Sequence, residues 1–222
     1  MLVASWLSAT EHFFPLVHYT ALMDRSAESL ARAIGARVKQ ERKGRGWTLD
    51  QLAVAAGVSR RMVVNVEQGS ANPSVGTLLR LSDALGVGLP ALVEPATPPQ
   101  VAKVTRHGKG AVLWKGERGG KGVLVTGTQP PDVVELWDWT LVQGERHESE
   151  AHIAGTQELL HVQEGAITVE VDGQTHQLGT GDALTFVGDT VHAYANPNNE
   201  PARFTLTVFE PRVETAQMTE NL

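Results

Sequence analysis

Imidazole and carboxylate groups recur at short, turn-punctuated spacings in the second half of this 222-residue chain. One segment reads His152-Ile-Ala154-Gly-Thr-Gln-Glu158, then six residues, then Gly165. Another runs from Gly181-Asp182 to Asn196 and holds His192 four residues before its end. Imidazole beside carboxylate is the chemistry of divalent-ion binding, with water or an effector in the remaining positions. The same groups can instead form a hydrogen-bonded cluster that grips an organic molecule without metal. The chain has no cysteine. That excludes thiolate metal sites, Cys nucleophiles and a disulfide framework, and it suits a reducing cytosol. No Gly-rich phosphate loop, Gly-x-Ser-x-Gly elbow or internal repeat is present.

The elements around these residues are short and β-type. Apolar runs at Ala111–Lys115, Val133–Val142, Glu158–Val162, Ala166–Val171, Ala183–Val187 and Arg203–Phe209 alternate with Gly, Asp, Asn or Pro clusters. Such spacing predicts an all-β sandwich or barrel. Alternation puts Glu158, Leu160 and Val162 on one strand face and His161 on the other. His192, Tyr194 and Asn196 share a face by the same rule, as do Trp137 and Trp139.

The first half has helical periodicity instead. Leu30, Ile34 and Val38 make an apolar stripe from about Ser26, closed by Gly44 and Gly46. Thr48 with Gln51 forms a capping-box pattern before Leu49, Leu52, Ala53 and Ala56. Ser59 caps a third helix carrying Val63 and Val66 inward, and Ser74 a fourth with Leu78, Leu81 and Leu85. Leu89 to Val93 adds a fifth turn, making a compact five-helix, all-α module.

Charge divides at the same boundary. Arg25 to Val93 carries ten Lys/Arg against five Asp/Glu, whereas Val101 to Leu222 carries nine against seventeen. A basic module followed by an acidic one fits a nucleic-acid contact hidden by the overall charge of −6. The expected layout is a flexible extension over 1–24, an α module over 25–94, a Pro-rich linker over 95–110, a β module over 111–212 and a tail over 213–222. Met1 to Leu22 fits neither a signal peptide nor a membrane span, because Glu11, His12, Pro15 and His18 interrupt it. Met23 is an alternative start.

The segment from Thr48 to Arg61, with Val66-Glu67-Gln68-Gly69 and Asn72-Pro73-Ser74 after it, resembles the Cro/repressor-like (Xre-type) helix-turn-helix family. The resemblance spans Ala27 to Val93. Ala53 is the small residue that close helix contact needs, and Gly57 suits the tight turn. In that family the third helix enters the major groove of double-stranded DNA. Carried over, Arg60, Arg61 and Asn65 face base edges, arginine suiting guanine and asparagine adenine. Ser59, Gln68, Ser70 and Asn72 then position phosphates. A solvated charged face is the plainer alternative. Leu49 stands where the family often has Gln, so that backbone contact is expected to be lost.

The two His-containing segments resemble the paired motifs of the cupin superfamily, a double-stranded β-helix barrel. In cupin register the Glu158 face points inward. The resemblance implies His152, Glu158 and His192 as ligands of a divalent metal (zinc, nickel, manganese or iron). Ala154 replaces one usual His, and Val187 and Asp189 replace the usual Pro and Gly. Glu150 is a possible substitute ligand, with a solvated loop carboxylate the plainer reading. Trp137, Trp139, Tyr194 and Asn196 are the expected effector-pocket residues, with plain barrel core as the alternative for the tryptophans. The pair of domains resembles one-component regulators. It implies a cytoplasmic, non-enzymatic homodimer without a membrane partner, whose operator affinity a small-molecule effector modulates. A metal-dependent cupin enzyme of oxygenase or isomerase type, and a cupin that only dimerises, are the alternatives.

Overall fold

The computed structural model describes residues 16–94 and 102–211, with side chains from Ala27 onward. Five helices come first: α1 (Leu16–Gly44), α2 (Leu49–Ala55), α3 (Arg60–Glu67), α4 (Val75–Leu85) and α5 (Leu89–Val93). Helix α1 starts about ten residues before the apolar stripe does, so 16–24, expected to be flexible, are helical. The rest of that extension, the first part of the linker (95–101) and the tail beyond Pro211 lie outside the described residues.

Side-chain caps fix the short helices. Thr48 Oγ1 accepts from Gln51 N and Gln51 Oε1 accepts from Thr48 N, completing the capping box. Ser59 Oγ accepts from Met62 N, and Ser74 Oγ from Thr77 N. Gly57 takes φ +61, the left-handed turn that a side chain would strain. Gly35 has a different task. A Cβ there would lie 2.2 Å from Val66 O, so its absence lets α1 press against the end of α3. The core between them is Ile34, Val38, Leu52, Ala53, Val63, Val66, Leu78, Leu81 and Leu85.

Ten strands follow: β1 (Ala111–Lys115), β2 (Lys121–Gly127), β3 (Val133–Leu141), β4 (Arg146–Ser149), β5 (Gln157–Glu164), β6 (Ala166–Val171), β7 (Gln174–Gly179), β8 (Ala183–Val187), β9 (His192–Ala195) and β10 (Ala202–Glu210). One sheet runs β1-β2-β3-β10-β5-β8 and the other β4-β9-β6-β7, all pairs antiparallel. The two inner faces pack Trp137, Trp139, Leu160, Val162, Ile167, Val169, Tyr194, Phe204 and Leu206 into the core. Strands β3 and β10 bury every second residue, as a sheet with one wet face does. No helix among the described residues is long and apolar enough to cross a membrane.

The α domain docks on one end of the barrel. The Pro90 ring of α5 fills the space where Gly127 lacks a side chain. Gly88 faces Val133 in the same way, and Arg80 of α4 pairs with Glu150 of the barrel.

Candidate functional site

Helix α3 is held by a buried ion pair. Arg42 of α1 donates to both carboxylate oxygens of Glu67, at 2.5 and 2.9 Å, and to Trp47 O at 2.7 Å. Neither residue was among the expected functional ones. Arg42 lies at i+4 from Val38, so continuing the apolar stripe by one turn would have pointed to it. With α3 so anchored, Ser59, Arg60 and Arg61 are exposed at its start, and Gln68, Ser70 and Asn72 just beyond its end. Asn65 is half-buried, and its carbonyl accepts from Ser70 N and Oγ. Arg60 Nε lies 3.3 Å from Asp50 of α2, while Arg61 has no carboxylate partner among the described residues.

In the barrel, the three expected ligands converge. Glu158 Oε1 lies 3.1 Å from both His152 Nε2 and His192 Nε2. Their ligand atoms all fall within 4.8 Å of one another. Yet Glu158 Oε1 and His192 Nε2 are buried with no hydrogen bond of acceptable geometry. Two unpartnered buried ligand atoms this close to a third suit metal coordination, so the residues fit a divalent ion. The surroundings fix that aim. His192 Nδ1 donates to Thr190 O at 2.8 Å, which leaves Nε2 as the bare nitrogen. His152 N donates to Gly188 O, pinning the β4–β5 loop across the barrel mouth. Tyr194 OH donates to Glu158 Oε2.

Electrostatics couple the same residues in the absence of an ion. Burial alone would raise the Glu158 pKa, but contact with His152 and His192 brings it down to about 2. Burial works against an imidazolium at His192, yet Glu158 carries its pKa above the ordinary value. Burial pushes Tyr194 well up, and the Glu158 charge pushes the same way.

The expected effector-pocket residues divide. Trp137 and Trp139 are inward and stacked, with centroids 5.7 Å apart. Trp139 Nε1 is buried without a partner. Asn196 shares the His192 face but is spent elsewhere. Its amide donates to Leu141 O and Glu200 O and accepts from Asn198 N, so it staples loops rather than facing a ligand. Glu150 also departs from its possible ligand role, since its carboxylate reaches Arg80 across the domain boundary.

Three further carboxylates were missed. Glu135 and Glu210 are each 1% exposed, and Asp83 of α4 reaches them from the other domain. Each keeps one buried oxygen without a partner. Glu135 falls on the inward alternation of β3, a legible signal. Burial raises all three pKa values, Asp83 to about 6 and Glu135 to about 7, against the Trp137 N–H bond at Glu135. Burial and the neighbouring Glu135 and Asp83 charges raise Glu210.

A raised carboxylate pKa stabilises the fold fully below the unfolded value, and that stability fades as pH rises through the folded one. Glu135→Gln keeps an oxygen for Trp137 Nε1 but cannot ionise. Thermal melts of metal-free protein should match wild type near pH 4, exceed it increasingly between about pH 4.5 and 7, and hold that lead at higher pH. The gain at high pH should be about 2–4 °C per kcal/mol recovered. Equal destabilisation at every pH would mean that Glu135 is ionised and compensated in the fold.

Two family models match, a helix-turn-helix model over residues 38–92 and a cupin domain model over residues 137–209. The HTH-type transcriptional regulator y4dJ of Sinorhizobium fredii, an uncharacterized protein, is 32% identical over 66 residues, spanning 30% of this chain and 86% of y4dJ. The chain belongs to the Xre-type HTH transcriptional regulators. The likeness extends over both domains of this regulator. The HTH-type transcriptional regulator SutR of Escherichia coli (strain K12) is 29% identical over 188 residues, covering 83% of this chain and 99% of SutR. An HTH_3 family transcriptional regulator from Vibrio cholerae superposes with a TM-score of 0.65, at 29% identity over 84% of this chain and 99% of that one. The regulator is therefore a DNA-binding transcription factor with a C-terminal cupin domain.

Proposed function

We propose that the regulator is a cytoplasmic homodimer whose operator affinity is set by a small-molecule effector held at a metal-assisted cupin site. The supporting observation is the convergence of His152, Glu158 and His192, with Glu158 Oε1 and His192 Nε2 unpartnered, in the same chain as an α3 that exposes its first turn and is anchored by Arg42. Arg60, Arg61 and Asn65 read base edges, while Ser59, Gln68, Ser70 and Asn72 position phosphates. A dimer places two α3 helices about 34–36 Å apart, one turn of DNA.

His152, Glu158 and His192 hold the ion, which supplies Lewis acidity and open positions for an effector's oxygen or nitrogen donors. Thr190 holds the His192 tautomer, Tyr194 secures the second Glu158 oxygen, and the His152–Gly188 backbone bond sets the mouth. The barrel binds and releases its effector unchanged, acting as a sensor. Because coupling is reciprocal, an effector that weakens DNA binding is itself weakened by DNA to the same factor.

Elemental analysis with native mass spectrometry on purified protein tests this. About one divalent ion per subunit is expected, and His192→Ala should lose it while the fold stays intact. Metal-free wild type carrying a small organic mass would favour direct recognition by the polar cluster. Wild type carrying neither, with operator affinity unmoved by added metal, would leave the cupin a dimerisation domain.

A further inference from the structure

A cleft of about 630 Å³ separates the two domains. One wall is the start of α4 and the loop before it, with Asn72, Gly76 and Leu79. The other is barrel surface, with Trp114, Lys115 and Ser149. Its position joins the two functional sites. Asn72 belongs to the loop that would touch DNA phosphates. Ser149 Oγ, at the far side, lies 3.5 Å from His152 Nε2. The volume falls within the usual range of about 300–1,000 Å³ for organic ligands.

The lining also states a chemistry. Leu79 and Trp114 offer apolar surface, and the Trp114 ring sits 5.4 Å from Trp139, which fixes its plane. Most charges on the walls are spent. Arg146 is bidentate to Glu170 at 2.8 Å and also 3.2 Å from Glu148, while Glu150 pairs with Arg80. His147 is half-buried among Trp114, Trp139 and Tyr194, surroundings that favour the neutral ring. Lys115 remains, exposed and without a carboxylate partner among the described residues.

We propose that this interdomain cleft binds a small amphipathic organic anion, a carboxylate on an apolar or aromatic body. Its carboxylate meets Lys115 and its body lies between Leu79 and Trp114. This rests on the reading above that a small molecule controls operator affinity, and adds a second ligand seat beside the metal-assisted one. A ligand there touches both the DNA-contacting loop and the loop carrying His152, so it can bias how the domains sit.

Calorimetry on the full chain tests it with three carboxylates and their cationic counterparts: 4-phenylbutyrate against 4-phenylbutylamine, indole-3-acetate against tryptamine, and hexanoate against hexylamine. Two variants locate the binding. At Gly76 a Cβ would come no closer than 3.8 Å, to the Glu150 carboxyl, so Gly76→Leu extends into the cleft without a backbone clash. Lys115→Glu reverses the free charge. At least one carboxylate should bind about tenfold tighter than its amine, and each variant should weaken it by about tenfold. Saturating carboxylate should also shift wild-type operator affinity and leave that of Gly76→Leu unmoved. Silence of all three carboxylates, preference for the amines, or binding indifferent to both variants overturns the proposal. Metal content and operator binding are followed on the same samples. If both are intact while the cleft is silent, only the cleft assignment falls; if wild type fails to bind any operator, the underlying reading falls.

Discussion

Replacing Glu67 by Gln lowers the stability of the DNA-binding domain by about 3–5 kcal/mol. The Arg42 guanidinium is almost wholly buried, and its two bonds to Glu67 meet its positive charge on both prongs. Gln offers one oxygen and sets an NH2 against the other prong, donor against donor. The buried charge is then left unmatched, which costs far more than a surface pair would. Trp47 O still accepts from Arg42 Nη1 but carries no full charge. Urea unfolding followed by circular dichroism measures the loss. The double variant Arg42→Met, Glu67→Leu separates the cost of an orphaned charge from the worth of the pair. It should regain most of the stability, because apolar groups of similar volume replace buried ion pairs with little loss. A single-variant cost below about 1 kcal/mol would mean that water reaches Arg42 and that α3 is positioned mainly by Val63, Val66 and the Gly35 approach.

This pair also marks where sequence reasoning stops in the first domain. Helix ends were legible because Thr48, Ser59, Ser74 and Gly57 each carry a local conformational reason. Arg42 shows only as a charge on the buried stripe one turn beyond Val38, and its partnership with Glu67 arises only when α1 packs against α3. In the barrel, β3, β5 and β10 showed through their alternation of buried and exposed residues. Strands β4 and β7 did not, since Arg-His-Glu-Ser and Gln-Thr-His-Gln-Leu-Gly are polar and largely uncovered. Strand β9 buries three residues in a row and so has no period of two. Parity put Glu158 on one face with Leu160 and Val162, the cupin register turned that face inward, and His161 is exposed on the other. Parity could not separate His192 from Asn196, which share a face but serve opposite tasks. Asp83 was beyond reach for another reason: its surroundings come from a different domain, and no local pattern records that docking.

Arg61→Ala should weaken binding to a single half-site by about 5- to 150-fold, the loss of one bidentate base contact. Arg61 is the better choice than Arg60, because Asp50 already engages Arg60 at 3.3 Å and shares its charge. On a two-fold operator a dimer makes the contact twice, so the penalty there should approach the square of the half-site penalty. The ratio of the two losses thus reports whether two α3 helices read the operator together. A loss that varies with the base at one position, while the salt dependence shifts little, identifies base reading. A uniform loss over all sequences, with the salt slope falling by about one, would move Arg61 to the phosphates. Asn72→Ala is the internal contrast. As a neutral phosphate contact it should weaken every sequence alike and leave base preference unchanged. If Arg61→Ala and Asn72→Ala behave identically, α3 does not present its first turn to the groove, and the base-reading role of Arg60, Arg61 and Asn65 fails with it.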